Sequence, residues 1–579
     1  MKTRSGAVHV VTTKRKYKDK VYEAHLLRRS YREDGKVKNE TLANLSQLPK
    51  PVIDLVRRAL KGEQLVGVED LFDVESSPQH GNVLAVLTAM RALGFADLIA
   101  SEKCRERDLA IAMVAARILG PQSKLATTRW WHSTTLPQEL GIEDASEEEL
   151  YKAMDWLLAR QPRIEKKLAR RHLRDGGLVL YDLSSSYFEG THCPLAALGH
   201  SRDKKKGKLQ VNYGLITDEL GCPVSVSVFP GNTSDSTTLL EQVGKARKSF
   251  GIESLVIVGD RGMITQKQID ELETEDGIGW ITALRTEALR DLANRGALQL
   301  GLFDQRNLFE FTDPERPGER FVACRNLDLA DHRERKRQSL LEATAKQLDR
   351  VRNMVKAGKL EGKDKIGVRV GKVVNKFKVA KHFVLKITNK RFSYEIDAAR
   401  VAAEAALDGV YVIRTNVPKK MLTKERAVLA YKQLTSVERA FRSLKTVDLH
   451  VRPIFHWSDD RVRAHIFLCM LAYYVEYHML EAWRPLLFAD EEARIRKRRD
   501  PVAPATRSSS ALKKAHTRQR SDGEPCHSFQ TLLADLSGIV RNMCRRKGAD
   551  DAEPSVTMMT KPSRTQSVAL ELVSGISST

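Results

Sequence analysis

Three acidic residues stand where a carboxylate is costly without a partner. Asp182 closes the apolar run Leu178–Tyr181, and Asp260 follows Leu255–Val258 and Gly259. Glu438 lies in the helix-patterned segment Lys424–Lys445. A charge at the end of a buried strand must face solvent, a counter-ion or a metal. If the first strand runs on through Asp182, that residue shares a face with Leu180 and Ser184 and points away from Tyr181 and Leu183. Two adjacent strands ending in aspartates would bring like charges together, and each would raise the other's pKa unless a cation compensates. Hard divalent ions accept such oxygen ligands, and Mg²⁺ needs only one or two protein carboxylates when water and phosphate complete its shell.

The third carboxylate belongs to a stripe. Tyr431, Glu438 and Lys445 recur every seven residues, which in an α-helix leaves them about 20° per step from perfect alignment. Arg442 is four residues beyond Glu438 and adjacent on the same side. Tyrosine, carboxylate, arginine and lysine in one stripe make a poor hydrophobic seam but suit a metal and the phosphates around it. Leu434, Val437, Phe441 and Leu444 supply the apolar stripe that presses the helix onto a sheet. Each residue alone has an ordinary alternative. Asp182 can open a turn through Ser184 and Ser185, Asp260 with Arg261 and Gly262 can cap or turn, and Glu438 can pair with Arg442.

The elements around these residues read as follows. A turn at Glu33-Asp34-Gly35 joins two extended runs within Val21–Leu45. From Pro51 to Gln161 the pattern is helical, with runs at Val52–Leu60, Asn82–Leu93, Glu106–Leu119 and Glu147–Leu158. After Gly176 the order becomes strand (Leu178–Tyr181), hairpin (Val211–Thr217 and Val224–Phe229), helix (Ser236–Ala246), strand (Leu255–Val258), helix (Thr265–Glu273) and strand (Trp280–Leu284). That order describes a mixed α/β sheet domain. Residues 286–420 read as a mostly β insertion with one long polar helix, Asp331–Lys356. Lys424–Lys445 and Arg461–Ala482 read as two long helices.

The reading divides the chain into a basic segment and hairpin (1–50), a helical DNA-binding or dimerisation region (51–170), the first part of the core (171–285), the insertion (286–420), a helical completion of the core (421–493) and a basic C-terminal region (494–579). Arg494–Arg520 holds ten Lys or Arg against one acid and reads as a flexible arm. Phe529–Ile539 is apolar enough to dock, and Pro554–Thr579 reads as disordered.

With 97 Lys and Arg against 74 Asp and Glu, the 579-residue chain carries a net charge of +23, which favours polyanionic partners such as a phosphate backbone. The seven cysteines are scattered and form no CxxC pair, which argues against a disulfide framework or a thiolate zinc knuckle. Met1–Lys20 lacks the apolar stretch of a signal peptide, and Ile466–Tyr474 is too short to span a bilayer. A cytoplasmic protein without a membrane segment is expected.

Four segments together carry a resemblance: Tyr181–Gly190 (YDLSSSYFEG), Val224–Asp235 (VSVSVFPGNTSD), Val258–Ile264 (VGDRGMI) and Tyr431–Lys445 (YKQLTSVERAFRSLK). Over residues 20–540 the chain resembles the DDE transposases of bacterial insertion sequences, in the insertion-sequence-four-like group. The resemblance implies a ribonuclease-H-like core interrupted by a β-rich insertion, behind a mainly helical N-terminal region. It also implies an acidic triad of Asp182, Asp260 and Glu438 holding Mg²⁺, for which Mn²⁺ substitutes. Tyr431, Arg442, Lys445 and Arg261 are the expected DNA contacts, with Lys204–Lys206 and Lys208 touching backbone or forming a solvated loop. The family's helix signature has an arginine where this chain has Leu434, a position that Arg439 or Arg442 could cover. The implied activity is cleavage at terminal inverted repeats and strand transfer to target DNA by a 3′-hydroxyl, carried out by a homodimer. Alternatives are a ribonuclease-H-like nuclease that does not join ends and a noncatalytic DNA-binding protein.

Overall fold

The computed structural model describes residues 6–17, 20–63, 71–492, 501–503, 507–547 and 554–577. The chain forms two compact units, one of Met1–Ser77 with Arg541–Met559, the other of Pro78–Val540 with Thr560–Thr579.

In the smaller unit, β1 (Ala7–Tyr17), β2 (Lys20–Glu33) and β3 (Lys36–Asn44) form an antiparallel sheet. Asp34 and Gly35 join β2 to β3, both with positive φ (51° and 76°), which suits a tight two-residue hairpin turn. The sequence reading anticipates this hairpin but not β1, whose run VHVVTT pairs with Arg29–Ala24 of β2. The helix Lys50–Leu60 packs on β1. A second sheet joins β4 (Phe72–Ser76), β15 (Arg541–Arg546) and β16 (Val556–Met559).

The larger unit opens with a helical region. Helix Arg105–Leu119 is buried on nearly every side, and Glu147–Ala159 starts from a capping box in which Ser146 and Glu149 satisfy each other's backbone N–H groups. Both pack against the long helix Asp459–Ala482, which encloses the Ile466–Tyr474 stretch as core. Among the described residues no helix is long and apolar enough to cross a membrane.

The eight-stranded mixed sheet runs β10-β11-β14-β9-β8-β5-β6-β7. Within it β5 (Leu178–Tyr187) is flanked on one side by the antiparallel pair β6 (Gln210–Thr217) and β7 (Pro223–Pro230). On the other side β8 (Leu255–Val258) and β9 (Ile278–Ala283) run parallel to β5. An antiparallel meander followed by parallel strands is the ribonuclease-H-like arrangement. Apolar, β-branched runs buried on both faces dictate the interior strands; β6 and β8 are buried throughout.

The insertion contributes to the same sheet. β10 (Leu308–Phe311), β11 (Arg320–Arg325) and β14 (Val410–Thr415) extend it beyond β9. The polar helix spans Leu327–Lys356, close to its expected range. A second helix, Lys363–Phe377, was not foreseen; its glycines and valines are weak helix formers. Burial of Ile366, Val370 and Val374 on one face holds it, in a separate core with Leu341, Leu348, Phe383 and Phe392. The hairpin of β12 (Phe383–Ile387) and β13 (Phe392–Ile396) closes that core.

The C-terminal region departs from the expected flexible arm and disordered tail. Residues 493–500 and 504–506 lie outside the described ones, but Ser509–Thr517 is a helix capped by Ser508. Its Lys514 is buried, with Nζ donating to Pro485 O at 3.3 Å and pairing with Glu491. Helix Phe529–Leu536 buries Phe529, Leu532, Leu533 and Leu536. Helix Arg564–Ser574 begins at a Ser563/Gln566 capping box and buries Ala569 and Val573. Composition misleads here because a few apolar side chains at helical spacing suffice once a surface receives them.

Candidate active site

β5 continues through Asp182, which sits mid-strand opposite Leu215 of β6. Tyr181 and Leu183 are buried to either side, while Asp182 is half-buried on the other face. The parallel register pairs Leu180 with Val258. Asp260 follows two residues past Val258, and leaving β8 there puts it near enough for its charge to act on the Asp182 carboxyl. Gly259 permits the sharp exit from β8, since a Cβ there would lie 2.9 Å from Ile264 Cγ1. The backbone then turns back, with Met263 N and Ile264 N donating to Asp260 O at 2.9 and 3.0 Å.

The glutamate helix is built in two parts, Lys424–Lys432 and Leu434–Arg442, joined at Gln433. Val437, Ala440 and Phe441 are buried, and Phe441 meets Tyr213 of β6 edge-on at 5.7 Å between ring centroids. Leu434 packs partly buried against the same core, so this position serves adhesion to the sheet. Glu438 is exposed on the opposite side.

Asp182, Asp260 and Glu438 are close enough to interact through space. Burial pushes the Asp182 carboxyl up to about 7; the Leu183 N–H and the Arg202 guanidinium oppose that shift, and the charges of Asp260 and Glu438 add to it. The Tyr431 hydroxyl donates to Asp260 Oδ1 at 3.1 Å. Burial, then the Asp260 charge, raises the Tyr431 phenol above its usual range, while Arg261 opposes. Arg261 and Arg442 are exposed.

Lys445 is placed differently from the expected stripe. Its ammonium is buried and donates to Asp203 Oδ1 at 3.0 Å, a carboxylate it shares with Arg452. The cause is local: Ser443–Val447 forms a π-turn, which breaks the seven-residue alignment with Glu438. Ser443 Oγ anchors that turn within hydrogen-bond reach of Asp448 Oδ2, at 2.8 Å, and of Glu476, its one proton serving one of them at a time. Lys204, Lys205, Lys206 and Lys208 are exposed.

Arg202, Asp203 and Arg452 escaped the sequence reading. Arg202 pairs with Asp235, its backbone N donates to Ser185 Oγ at 3.2 Å, and its charge acts on Asp182. No periodic signal marks these loop residues.

A different cluster could coordinate a metal ion. His172, Cys222 and His478 offer ligand atoms all within 4.8 Å of one another. They come from three remote segments, which no spacing motif reveals. All seven cysteines are free thiols.

A family model for the transposase DDE domain matches residues 181–475, half of the chain, including Asp182, Asp260 and Glu438. A model for the N-terminal domain of IS1634 family transposases matches residues 10–68. No curated protein matches the chain. Among solved structures, the cryo-EM piggyBac transposase synaptic complex with hairpin DNA aligns at 9% identity and TM-score 0.32, over 78% of this chain and 79% of that one. The two family models, spanning the N-terminal sheet and the sheet that carries the carboxylates, establish that the chain belongs to the DDE transposases of bacterial insertion sequences, DNA-binding proteins of mobile elements.

Proposed function

We propose that this transposase cleaves DNA at its element's terminal inverted repeats and joins the released 3′-ends to target DNA, with Asp182, Asp260 and Glu438 as the metal-holding catalytic residues. The convergence of these three carboxylates, Asp182 within β5, Asp260 just past β8 and Glu438 on the helix packed against β5, supports this reading most strongly. The donor set fits a hard divalent ion: it is all oxygen, and a cation would offset the burial that raises Asp182 and the smaller repulsion from Asp260 and Glu438. When bound, Mg²⁺ or Mn²⁺ supplies Lewis-acid polarisation of the scissile phosphodiester.

The chain's own residues hold and orient. Asp182 stands on a rigid interior strand, and Tyr431 keeps the Asp260 carboxylate turned toward the site through its hydroxyl. Arg202 offsets charge beside Asp182. Arg261 and Arg442 are exposed cations on the flanks of the site and suit DNA phosphates. With its ammonium committed to Asp203, Lys445 acts instead as a strut for the helix end. In cleavage, water attacks the phosphodiester, the P–O3′ bond breaks and a 3′-hydroxyl leaves. In joining, that hydroxyl attacks a target phosphodiester and displaces the target's own 3′-oxygen. A homodimer holding both ends fits this chemistry.

Duplexes carrying the inverted repeats that flank the reading frame, incubated with plasmid and Mg²⁺, test the assignment. Joined products are expected. Cleaved ends that remain unjoined would favour the nuclease reading, and binding without cleavage the noncatalytic one.

Tyr431→Phe removes the hydroxyl on Asp260 and leaves the ring in place. The Mg²⁺ concentration for half-maximal cleavage should rise about tenfold, as for other partners that orient metal ligands. An unchanged Mg²⁺ dependence would remove Tyr431 from the site.

A further inference from the structure

Three elements meet at the β6–β7 turn, beside the start of β5. They are the last turn of helix Gln161–His172, the turn from Asp218 to Cys222 between β6 and β7, and the last turns of helix Asp459–Ala482. Each brings one side chain of a metal-binding type: His172, Cys222 and His478. Cys222 Sγ lies 3.9 Å from His172 Nε2 and 3.7 Å from His478 Nε2. Ordinary Zn–S and Zn–N bond lengths in a tetrahedral site separate sulfur from nitrogen by about 3.6 Å. Both sulfur–nitrogen edges are within a few tenths of an ångström of that value.

Hydrogen bonding within the protein explains this triad less well. A thiol has one proton and can serve one imidazole at a time. His172 Nε2 also meets the Tyr474 hydroxyl at 3.1 Å, so three polar groups converge on one nitrogen's side of the cluster. A divalent ion would satisfy the thiolate and both imidazoles together. Two further features suit one. Cys222 is only 1% exposed, yet the three side chains line a cavity of about 550 Å³ together with Arg171, Arg174, Asp218 and Tyr477. The cavity gives an ion a way in and room for a water as fourth ligand.

We propose that His172, Cys222 and His478 bind a zinc-class divalent ion, distinct in chemistry from the ion expected at the carboxylates. One sulfur and two imidazole nitrogens select a borderline-soft metal, whereas three carboxylates select a hard one. A single thiolate among imidazoles also differs from the CxxC knuckle that the cysteine spacing rules out. The role is to fix the β6–β7 turn. Gly221, adjacent to Cys222, has φ +94°, and a Cβ there would lie 2.7 Å from Ser436 Cβ. The turn thus bears directly on the helix of Glu438, two residues before that glutamate. Clamping the turn to two long helices steadies the surface on which the glutamate helix rests.

Cobalt(II) substitution of the full-length protein tests the site without relying on activity. Wild type should show a thiolate-to-cobalt charge-transfer band whose intensity corresponds to about one thiolate-bound Co²⁺ per chain, and Zn²⁺ should erase it. Cys222→Ser should lose the band, and Asp182→Asn should keep it. His478→Gln retains the thiolate and should bind Zn²⁺ at least about tenfold more weakly. This variant decides the matter should Cys222→Ser fail to fold. Absence of the band in wild type, its persistence in Cys222→Ser, or unchanged Zn²⁺ affinity in His478→Gln would overturn the proposal. Since the readout is a thiolate spectrum, loss of DNA joining alone leaves this result unaffected.

Discussion

Asp260→Asn should reduce DNA cleavage on the order of 10³-fold or more, about 4 kcal/mol of transition-state stabilisation. Asp182→Asn and Glu438→Gln should do the same. Each substitution keeps the side-chain volume and an oxygen acceptor. In Asp260→Asn that oxygen can still receive the Tyr431 hydroxyl now at 3.1 Å, so the fold around the site should persist. What disappears is one negative charge from a group of three that hold a divalent cation against a polyanionic substrate. Binding of inverted-repeat duplex in metal-free buffer should be unchanged or tighter, because an anion beside the phosphates has been removed. That combination separates a catalytic role from a folding role. Cleavage within about tenfold of wild type in any of the three variants would remove that residue from the proposed triad.

The second large effect concerns the junction between the insertion and the core. Arg414 of β14 is buried; its Nε donates to Glu319 Oε2 at 2.7 Å and a second nitrogen pairs with Glu319 Oε1. It also donates to Gln266 Oε1 at 3.0 Å and lies over the Trp280 ring of β9, 5.2 Å from its centroid. One guanidinium therefore links β14, β9, the start of β11 and the helix Gln266–Leu272 that follows the Asp260 turn. Arg414→Leu leaves Glu319, 5% exposed, as an unpaired buried charge, a loss of about 3–5 kcal/mol. Adding Glu319→Leu should recover most of that loss, since the cost arises from the stranded carboxylate more than from the missing attraction. Trp280 is fully buried beneath the pair, so its fluorescence during denaturant unfolding reports on this region. A single variant as stable as wild type, or a double variant no better than the single, would refute the account.

Much of the core was legible because its signals are local. The runs Leu178–Tyr181 and Leu255–Val258 are short and apolar, the second rich in β-branched residues, and an aspartate follows closely on each. The Asp34-Gly35 turn announced a hairpin through backbone chemistry alone, and both residues have the positive φ that it requires. Less local features were hidden. The 363–377 helix owes its existence to a face buried in the insertion's own core, against the propensity of its glycines and valines. The basic segment after residue 507 looked unstructured by composition, yet Lys514 finds carbonyls and Glu491 to bury against.

The same division runs through the site. Residue type and periodicity by themselves determined that Asp182 and Asp260 follow apolar runs and that Glu438 rides an amphipathic helix, because period and propensity act over a few residues; that β5 continues through Asp182 to Tyr187 was decided by its pairing with β6. Only tertiary structure decided that Leu180 pairs with Val258, that the charge of Asp260 comes within range of Asp182, and that Tyr431 reaches Asp260 across 171 positions of chain. It likewise turned Lys445 inward to Asp203 through a π-turn and gathered His172, Cys222 and His478 from three distant segments. Strand register and packing between remote segments are selected by the burial of whole faces, and a local pattern carries no record of which face its partner will present.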